Sequence, residues 1–352
     1  MYRYIGNKTK LTEDILEVIK EMIGGNGTVA DVMAGTGSVS SALRKAGYKV
    51  VASDVMTYSY HHLSVNLKLS EAPNFSKLMK SKDFEGVNDD GYSSVLKFLN
   101  EIEPIESFFF KEFSPEGLPK NESPPRKYFT PDNARKIDAI RAKINGWIDI
   151  DLITDVEASL LKHTLIMAAN EVANISGTYG YFLSTFKKNS LNDIVMKPVG
   201  FFPENSEGHT VKQGFAENLA STIKADLAYI DPPYIKRQYA ANYHILETIA
   251  RGDFPDAVGK SGLRDWWDQH SKFCTKTRGL QAFEKIFKEM DCNNFLISYS
   301  EDGLFSLEQL IELFSKYGVV KVREIDYNRF RSNQSQLKKQ LKEYLISIER
   351  EI

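Results

Sequence analysis

The sequence predicts an α/β fold split by an inserted, mainly helical segment. Three observations predict it. Residues 28–55 read as strand, glycine-rich turn, helix and second strand, the order of a βαβ unit. From residue 71 onward that alternation gives way to helical periodicity, as in "DNARKIDAIRAKINGWI" and "DVEASLLKHTLIMAANEVANI". Short apolar runs bounded by turn residues return after residue 205. The α/β part is therefore expected to comprise residues 1–70 and 205–352, with residues 71–204 inserted between its halves.

The elements follow in order. In "LTEDILEVIKEMI" (11–23), Ile15, Leu16, Ile19 and Ile23 share one helical face. Thr12 ahead of Glu13 and Asp14 is a start signal, and "GGNG" at 24–27 stops the helix. "TVADVMAGTGSVSSALRKAG" then reads strand, turn, helix, and "YKVVASDV" (48–55) is a second apolar strand carrying Asp54 at its end. A right-handed crossover is expected between the two strands. Polar loops such as "FSPEGLPKNESPPRKYFTP" punctuate the insertion. Strand signals resume at "DLAYI", "NFLISYS" (294–300), "VVKVREIDY" (319–327) and "EYLISIER" (343–350).

Composition narrows the class. The chain has 352 residues, 42% hydrophobic and 26% charged, a globular balance. It contains no run of about 18 or more apolar residues, so no membrane span is expected. The opening "MYRYIGNKTK" lacks the apolar core of a secretion signal, which points to the cytoplasm. Cys274 and Cys292, with no nearby histidine pair, suit ordinary thiols better than a disulfide framework or a zinc site, and no metal is expected. Net charge is −2, yet Lys and Arg outnumber acids in 120–143, 260–278 and 321–342. Such segments can together form a basic groove, although any one run alone reads more readily as a solvated face.

Two motifs carry chemistry. In "DVMAGTGSVS", Asp31 closes a strand and is followed by Gly35, Gly37 and Ser38. Glycines allow a tight turn and close approach to a ligand, and the next helix presents its N–H groups there. Asp54, 17 residues after Gly37, ends the next strand, where an acid can accept both hydroxyls of a ribose. The same features occur in plain turns, and the third glycine of a dinucleotide fingerprint is missing. The second motif is Asp231, Pro232, Pro233 and Tyr234, directly after the apolar run "LAYI". The prolines stop the strand and fix φ, so a carboxylate, a carbonyl and a ring are held rigidly together. At the N-terminus, Tyr4, Gly6 and Lys8 of "RYIGNK" could cap a pocket or form a short ordered tail.

Taken in order, "RYIGNK", "DVMAGTGSVS", Asp54, an insertion and "DPPY" resemble the adenine-specific DNA methyltransferases of the alpha-order group, Dam-like and FokI-type modification methylases among them. The segments "RQYAANYHILETIA", "FLISYSEDGL", "EIDYNRF", "FTPDNARKIDAIR" and "SGTYGYFLSTFKKNSL" are similar to the FokI-type group. The resemblance implies a Rossmann-like S-adenosylmethionine-dependent methyltransferase sheet with a helical target-recognition subdomain at 71–204. It implies transfer of a methyl group to the N6 amine of an adenine flipped out of double-stranded DNA. A partner restriction endonuclease acting on the same site, and no membrane, go with that reading.

The resemblance also assigns roles. Tyr4, Gly6, Lys8, Asp31, Gly35, Gly37 and Ser38 would hold the methionyl part of the cofactor, Lys8 near its carboxylate. Asp54 would take the ribose, Phe215 would flank the adenine ring, and Asp231 to Tyr234 would hold the target base beside the methyl donor. No acid stands near Gly214 or Phe215 for the cofactor's amino group; Glu217 or a backbone group is the alternative. An adenine amine is a poor nucleophile, and acceptors at Asp231 and the Pro232 carbonyl can localise its lone pair while Tyr234 stacks the ring. Arg126, Lys127, Arg135, Lys187, Lys188, Arg237, Tyr239, Asn242, Arg329 and Arg331 are the candidate nucleic-acid contacts. An RNA adenine methyltransferase, or a non-catalytic binder on the same fold, are the competing readings.

Overall fold

The strand order of the sheet, β3-β2-β1-β4-β5-β7-β6, organises one of the two compact units of the computed structural model. The structure describes residues 8–86, 91–204, 206–328 and 340–350. Tyr4, Gly6, Arg329 and Arg331 lie outside the described residues. The sheet unit draws on the described parts of Ile5–Lys68, Glu204–Tyr239 and Gln269–Ile352; the helical unit draws on Leu69–Pro203 and Ala240–Asp268.

Along the chain, α1 (Thr12–Ile23), β1 (Thr28–Asp31), α2 (Ser38–Lys45), β2 (Lys49–Asp54) and α3 (Thr57–Lys68) come first. The helical stretch supplies α4 (Gly91–Glu101), α5 (Phe108–Phe113), α6 (Pro131–Asp149) and α7 (Asp155–Val172). Then come β3 (Thr210–Gln213), α8 (Ala216–Leu219), β4 (Leu227–Ile230), α9 (Tyr239–Asn242), α10 (His244–Arg251), α11 (Lys276–Glu289), β5 (Asn294–Ser300), α12 (Leu307–Phe314), β6 (Val319–Asn328) and β7 (Gln340–Glu349).

The first five strands of the sheet order, β3, β2, β1, β4 and β5, run parallel, and β7 enters antiparallel between β5 and β6. Parallel strands are covered on both faces, which is why all four residues of "LAYI" in β4 are buried. Two apolar clusters form those covers. Phe283, Ile286 and Phe287 of α11 pack with Phe295 and Ile297, while Ile15 and Ile19 of α1 pack with Val29, Val50 and Leu296. Strand order reverses between β1 and β4, so the carboxyl ends of these strands open a crevice of the kind that takes ligands in doubly wound sheets.

In the helical unit, Thr130 caps α6 ahead of Pro131, and Thr154 with Glu157 forms a capping box on α7. Asp138 of α6 accepts from the N–H groups of Ser107, Phe109 and Phe110, satisfying the start of α5. Residues 240–268 were expected with the sheet and pack with the helices instead. α10 packs on α7, and buried arginines hold the backbone of this stretch. Arg141 donates to the carbonyls of Thr248 and Asp253, and Arg126 donates to those of Ala257 and Gly259. No helix among the described residues is long and apolar enough to cross a membrane.

Candidate active site

The sheet brings the expected acids to one edge. Asp31 ends β1 in register with Tyr229 of β4, two residues before Asp231. Ser300 ends β5 in register with Glu343 of β7. Because β7 is antiparallel, the early part of β7 meets the carboxyl ends of its parallel neighbours. Glu343 thereby joins the corner formed by Asp231 and Tyr234.

In that corner Lys8 is the shared partner. Its carbonyl accepts from Leu11 N and Thr12 Oγ1, which fixes the residue just ahead of α1. Its ammonium lies 3.5 Å from Asp231 Oδ1 and 3.3 Å from Glu343 Oε2, contacts the Tyr234 hydroxyl and stands 4.5 Å from the centroid of the Tyr234 ring. The Tyr234 hydroxyl donates to Asp231 Oδ1. Burial raises the pKa of Asp231 above the ordinary carboxylate range, opposed by Lys8 and by the Tyr234 hydroxyl. Burial raises Glu343 likewise, with Lys8 opposing and the charge of Asp231 adding. Tyr234 is pushed well above a normal phenol by burial, then by Asp231. The turn itself is braced from behind: Leu304 N donates to Tyr234 O at 2.8 Å, and the Tyr299 ring meets the Tyr234 ring edge-on at 5.4 Å. Gly303 allows this bracing, because a Cβ there would lie 2.1 Å from Tyr299 Cε1.

The glycine turn is set by Asp54. Its carboxylate accepts from Gly35 N at 2.8 Å and Met56 N at 2.9 Å. Gly35 and Gly37 have φ of 54° and 79°, in the left-handed region that favours glycine. Gly37 leads into Ser38, the half-buried first residue of α2. Asp31 is buried, accepts from Ser40 Oγ at 2.6 Å, and is pushed up to about 7 by burial, with the charges of Asp231 and Asp54 adding. At the end of β3, Gly214 N donates to Asp54 O at 2.9 Å, and half-buried Phe215 follows. Glu217 is buried with its carboxylate 3.2 Å from Lys272 Nζ, so it is not presented beside Phe215.

The nucleic-acid candidates separate into kinds. Arg126 is a correction: it is fully buried, paired to Glu112 at 2.7 Å, with its other nitrogen on the carbonyls of Ala257 and Gly259. Arg135 is held by Glu106, Glu116 and Asp132. Asn242 is buried, its carbonyl accepting from Tyr179 N at 2.9 Å, and so is not presented to a strand. Arg237 is exposed and Tyr239 half-buried, both in the sheet unit.

Lys127, Lys187 and Lys188 are exposed, and the fold draws Lys127 and Lys187 together across 60 residues of sequence. Buried Asn174 does this. Its Nδ2 donates to the carbonyls of Lys127 and Leu183, and its Oδ1 accepts from Lys187 N. The loop so held carries Tyr181, 53% exposed, stacked on Phe182 at 4.7 Å.

Asn174 and Glu343 were not singled out from sequence. Glu343 heads an apolar strand, where an acid usually marks only a turn, and a lone Asn after a helix carries no signal. Cys274 and Cys292 are buried thiols whose pKa values burial pushes up to about 11.

The strand order, the glycine turn clamped by the acid that ends β2, and the Asp-Pro-Pro-Tyr turn at the same edge define a methyltransferase α/β domain. The chain belongs to the D12 class N6 adenine-specific DNA methyltransferase family, whose model matches residues 4–325. It is 33% identical to Type II methyltransferase M.FokI of Planomicrobium okeanokoites, over 99% of this chain and 53% of that protein. It is 32% identical to Modification methylase StsI of Streptococcus sanguinis, over 99% and 52%. Type II methyltransferase M.NlaIII of Neisseria lactamica is 31% identical, over 95% of this chain and 93% of its own length. The chain thus spans about half the length of the first two relatives and nearly all of the third.

Proposed function

We propose that this chain transfers the methyl group of S-adenosylmethionine to the N6 amine of an adenine rotated out of double-stranded DNA. We place it as the modification component of a restriction-modification system whose endonuclease reads the same site. The observation that carries the reading is the Asp231–Tyr234 turn, positioned one pleat beyond the register of Asp31 and braced by the loop after β5.

The residues present fit the cofactor. The left-handed turn at Gly35 and Gly37, leading into α2, suits the methionyl end, and Asp54, oriented by two backbone N–H groups, suits a ribose. Phe215, at the end of β3 beside β2, suits an adenine face. Lys8 belongs to the amine side of the site, because two carboxylates already share its ammonium. The bound cofactor supplies a methyl group activated by a sulfonium.

The chain's own part is positioning. Asp231 and the Pro232 carbonyl receive the amine hydrogens and turn the nitrogen lone pair toward the methyl group. With the cofactor bound, the methyl group would pass from the sulfonium sulfur, left as a neutral thioether, to nitrogen, and Asp231, its proton affinity raised by burial, would take the proton that nitrogen sheds. Tyr234 stacks the base, offsetting an extrusion cost of a few kcal/mol.

The test uses the chain with tritiated S-adenosylmethionine and unmethylated double-stranded DNA, single-stranded DNA or RNA, followed by nucleoside analysis. N6-methyladenine in duplex DNA is expected. Label in RNA alone, or on cytosine, overturns the reading.

A further inference from the structure

We propose that Glu343 is a positioning residue for methyl transfer: it draws the Lys8 ammonium partly off Asp231, so that Asp231 can receive the adenine amine. The proposal rests on the role given to Asp231 above. Glu343 is 5% exposed and Lys8 4% exposed, and Glu343 Oε2 is slightly nearer the ammonium (3.3 Å) than Asp231 Oδ1 is (3.5 Å). A buried carboxylate and a half-buried one thus divide one cation.

A stabilising ion pair needs only two members. Burying a second carboxylate beside a pair that is already complete costs free energy, since each buried ion carries a desolvation penalty of several kcal/mol. The third member therefore has to be explained by what it does to the other two. Charge-assisted hydrogen bonds are roughly twice as strong as neutral ones. Facing Asp231 alone, the ammonium of Lys8 would outcompete a neutral adenine N–H for the same oxygen. It would also lower the proton affinity that Asp231 needs as nitrogen sheds its proton. Divided with Glu343, the ammonium leaves Asp231 a weaker hold to exchange. Ser300, which pairs with Glu343 in the β5–β7 register, favours the charged form of that carboxylate beside Lys8.

The experiment compares E343Q, K8M and the double variant, with single-turnover methyl transfer, the KM for DNA and cofactor affinity measured on each. E343Q keeps the glutamate's shape and is expected to lower the single-turnover rate about ten- to hundredfold. KM for DNA and cofactor affinity should stay within about threefold. Because Glu343 acts through Lys8, the double variant should be no slower than the slower single variant. Losses that multiply in the double variant overturn the proposal, as does an E343Q rate equal to that of the parent chain.

Thermal melting monitors folding. Should E343Q melt with the cofactor unbound, E343D is read instead: it retains the charge and is expected to recover most of the rate. An E343D rate as low as that of E343A overturns the proposal. D231A separates the two readings. Retained turnover in D231A sinks the role of Asp231 itself, whereas lost turnover together with multiplicative E343Q and K8M effects sinks only that of Glu343.

Discussion

Tyr234 has two separable properties in this fold, a ring held edge-on to Tyr299 and a hydroxyl that donates to Asp231. The hydroxyl occupies an acceptor that the substrate amine requires, whereas the ring is what a flipped base stacks on. Tyr234→Phe removes only the hydroxyl and is expected to hold the single-turnover rate within about tenfold, or about 1.4 kcal/mol. Tyr234→Ala removes both and is expected to lose about a hundredfold or more, with DNA binding weaker by about 1–3 kcal/mol, the range of one base–aromatic stack. Equal losses in the two variants would sink the stacking role. Arg126 allows a contrasting prediction. Arg126→Met leaves Glu112 buried without its cation and is expected to cost about 3–5 kcal/mol in chemical denaturation. The slope of log DNA affinity against log salt should stay unchanged; a slope shallower by about 1 would restore Arg126 as a phosphate contact. At this scale the acid-proline-proline-tyrosine turn was legible because its chemistry lies in consecutive residues. The burial of Arg126 was not, since a basic run looks the same whether its members face water or carbonyls.

Elements were legible where burial imposes a pattern. β5 matches its reading, "NFLISYS", because six of its seven residues are buried and only small serines interrupt its apolar side chains after Asn294. β3 escaped notice: it has four residues, only Val211 among them is buried, and it lies at the sheet edge, where pattern gives way to solvent. The loop from Asn174 to Lys187 is a third kind of element, with neither period nor regular backbone, held instead by one buried amide. Asn174→Ala removes those bonds and is expected to cost about 1–3 kcal/mol of stability through the carbonyls left unpaired. If the loop meets DNA, affinity should fall at every salt concentration with the salt slope retained, because the lysines remain. Lys187→Ala with Lys188→Ala should instead make the slope shallower by about 1 for each phosphate no longer neutralised. Fluorescence anisotropy across a salt series reads both, and unaltered affinity in Asn174→Ala would remove the loop from the DNA interface.

For the molecule as a whole, many of the charges among the described residues are held in pairs. Among the described residues, several cations of the basic segments are matched within their own units: Arg264 by Asp253, Lys272 by Glu217, Arg323 by Glu17 and Glu21, Lys342 by Glu324. Against that background the carboxyl edge of the sheet stands apart, with Asp31, Asp231 and Glu343 all raised in pKa, first by burial. Such a cluster makes stability depend on pH. Asp31 holds its proton up to about 7 in the folded chain, against 3.8 for the ordinary side chain. The folded state therefore binds a proton that the unfolded state has released between those values. The stability contributed is full below 3.8, declines as pH rises, and is gone above about 7. A shift of about three units amounts to at most about 4 kcal/mol. Asp31→Asn keeps an acceptor for Ser40 without the charge. In calorimetry of the chain without cofactor it should melt higher than the parent at pH 8, with the difference shrinking steadily toward pH 4. A difference that instead grows toward low pH would show that the folded chain favours the ionised carboxylate. The expected result would mean that the edge which binds cofactor and base is kept at a cost to the free protein, as sites built for ligands commonly are.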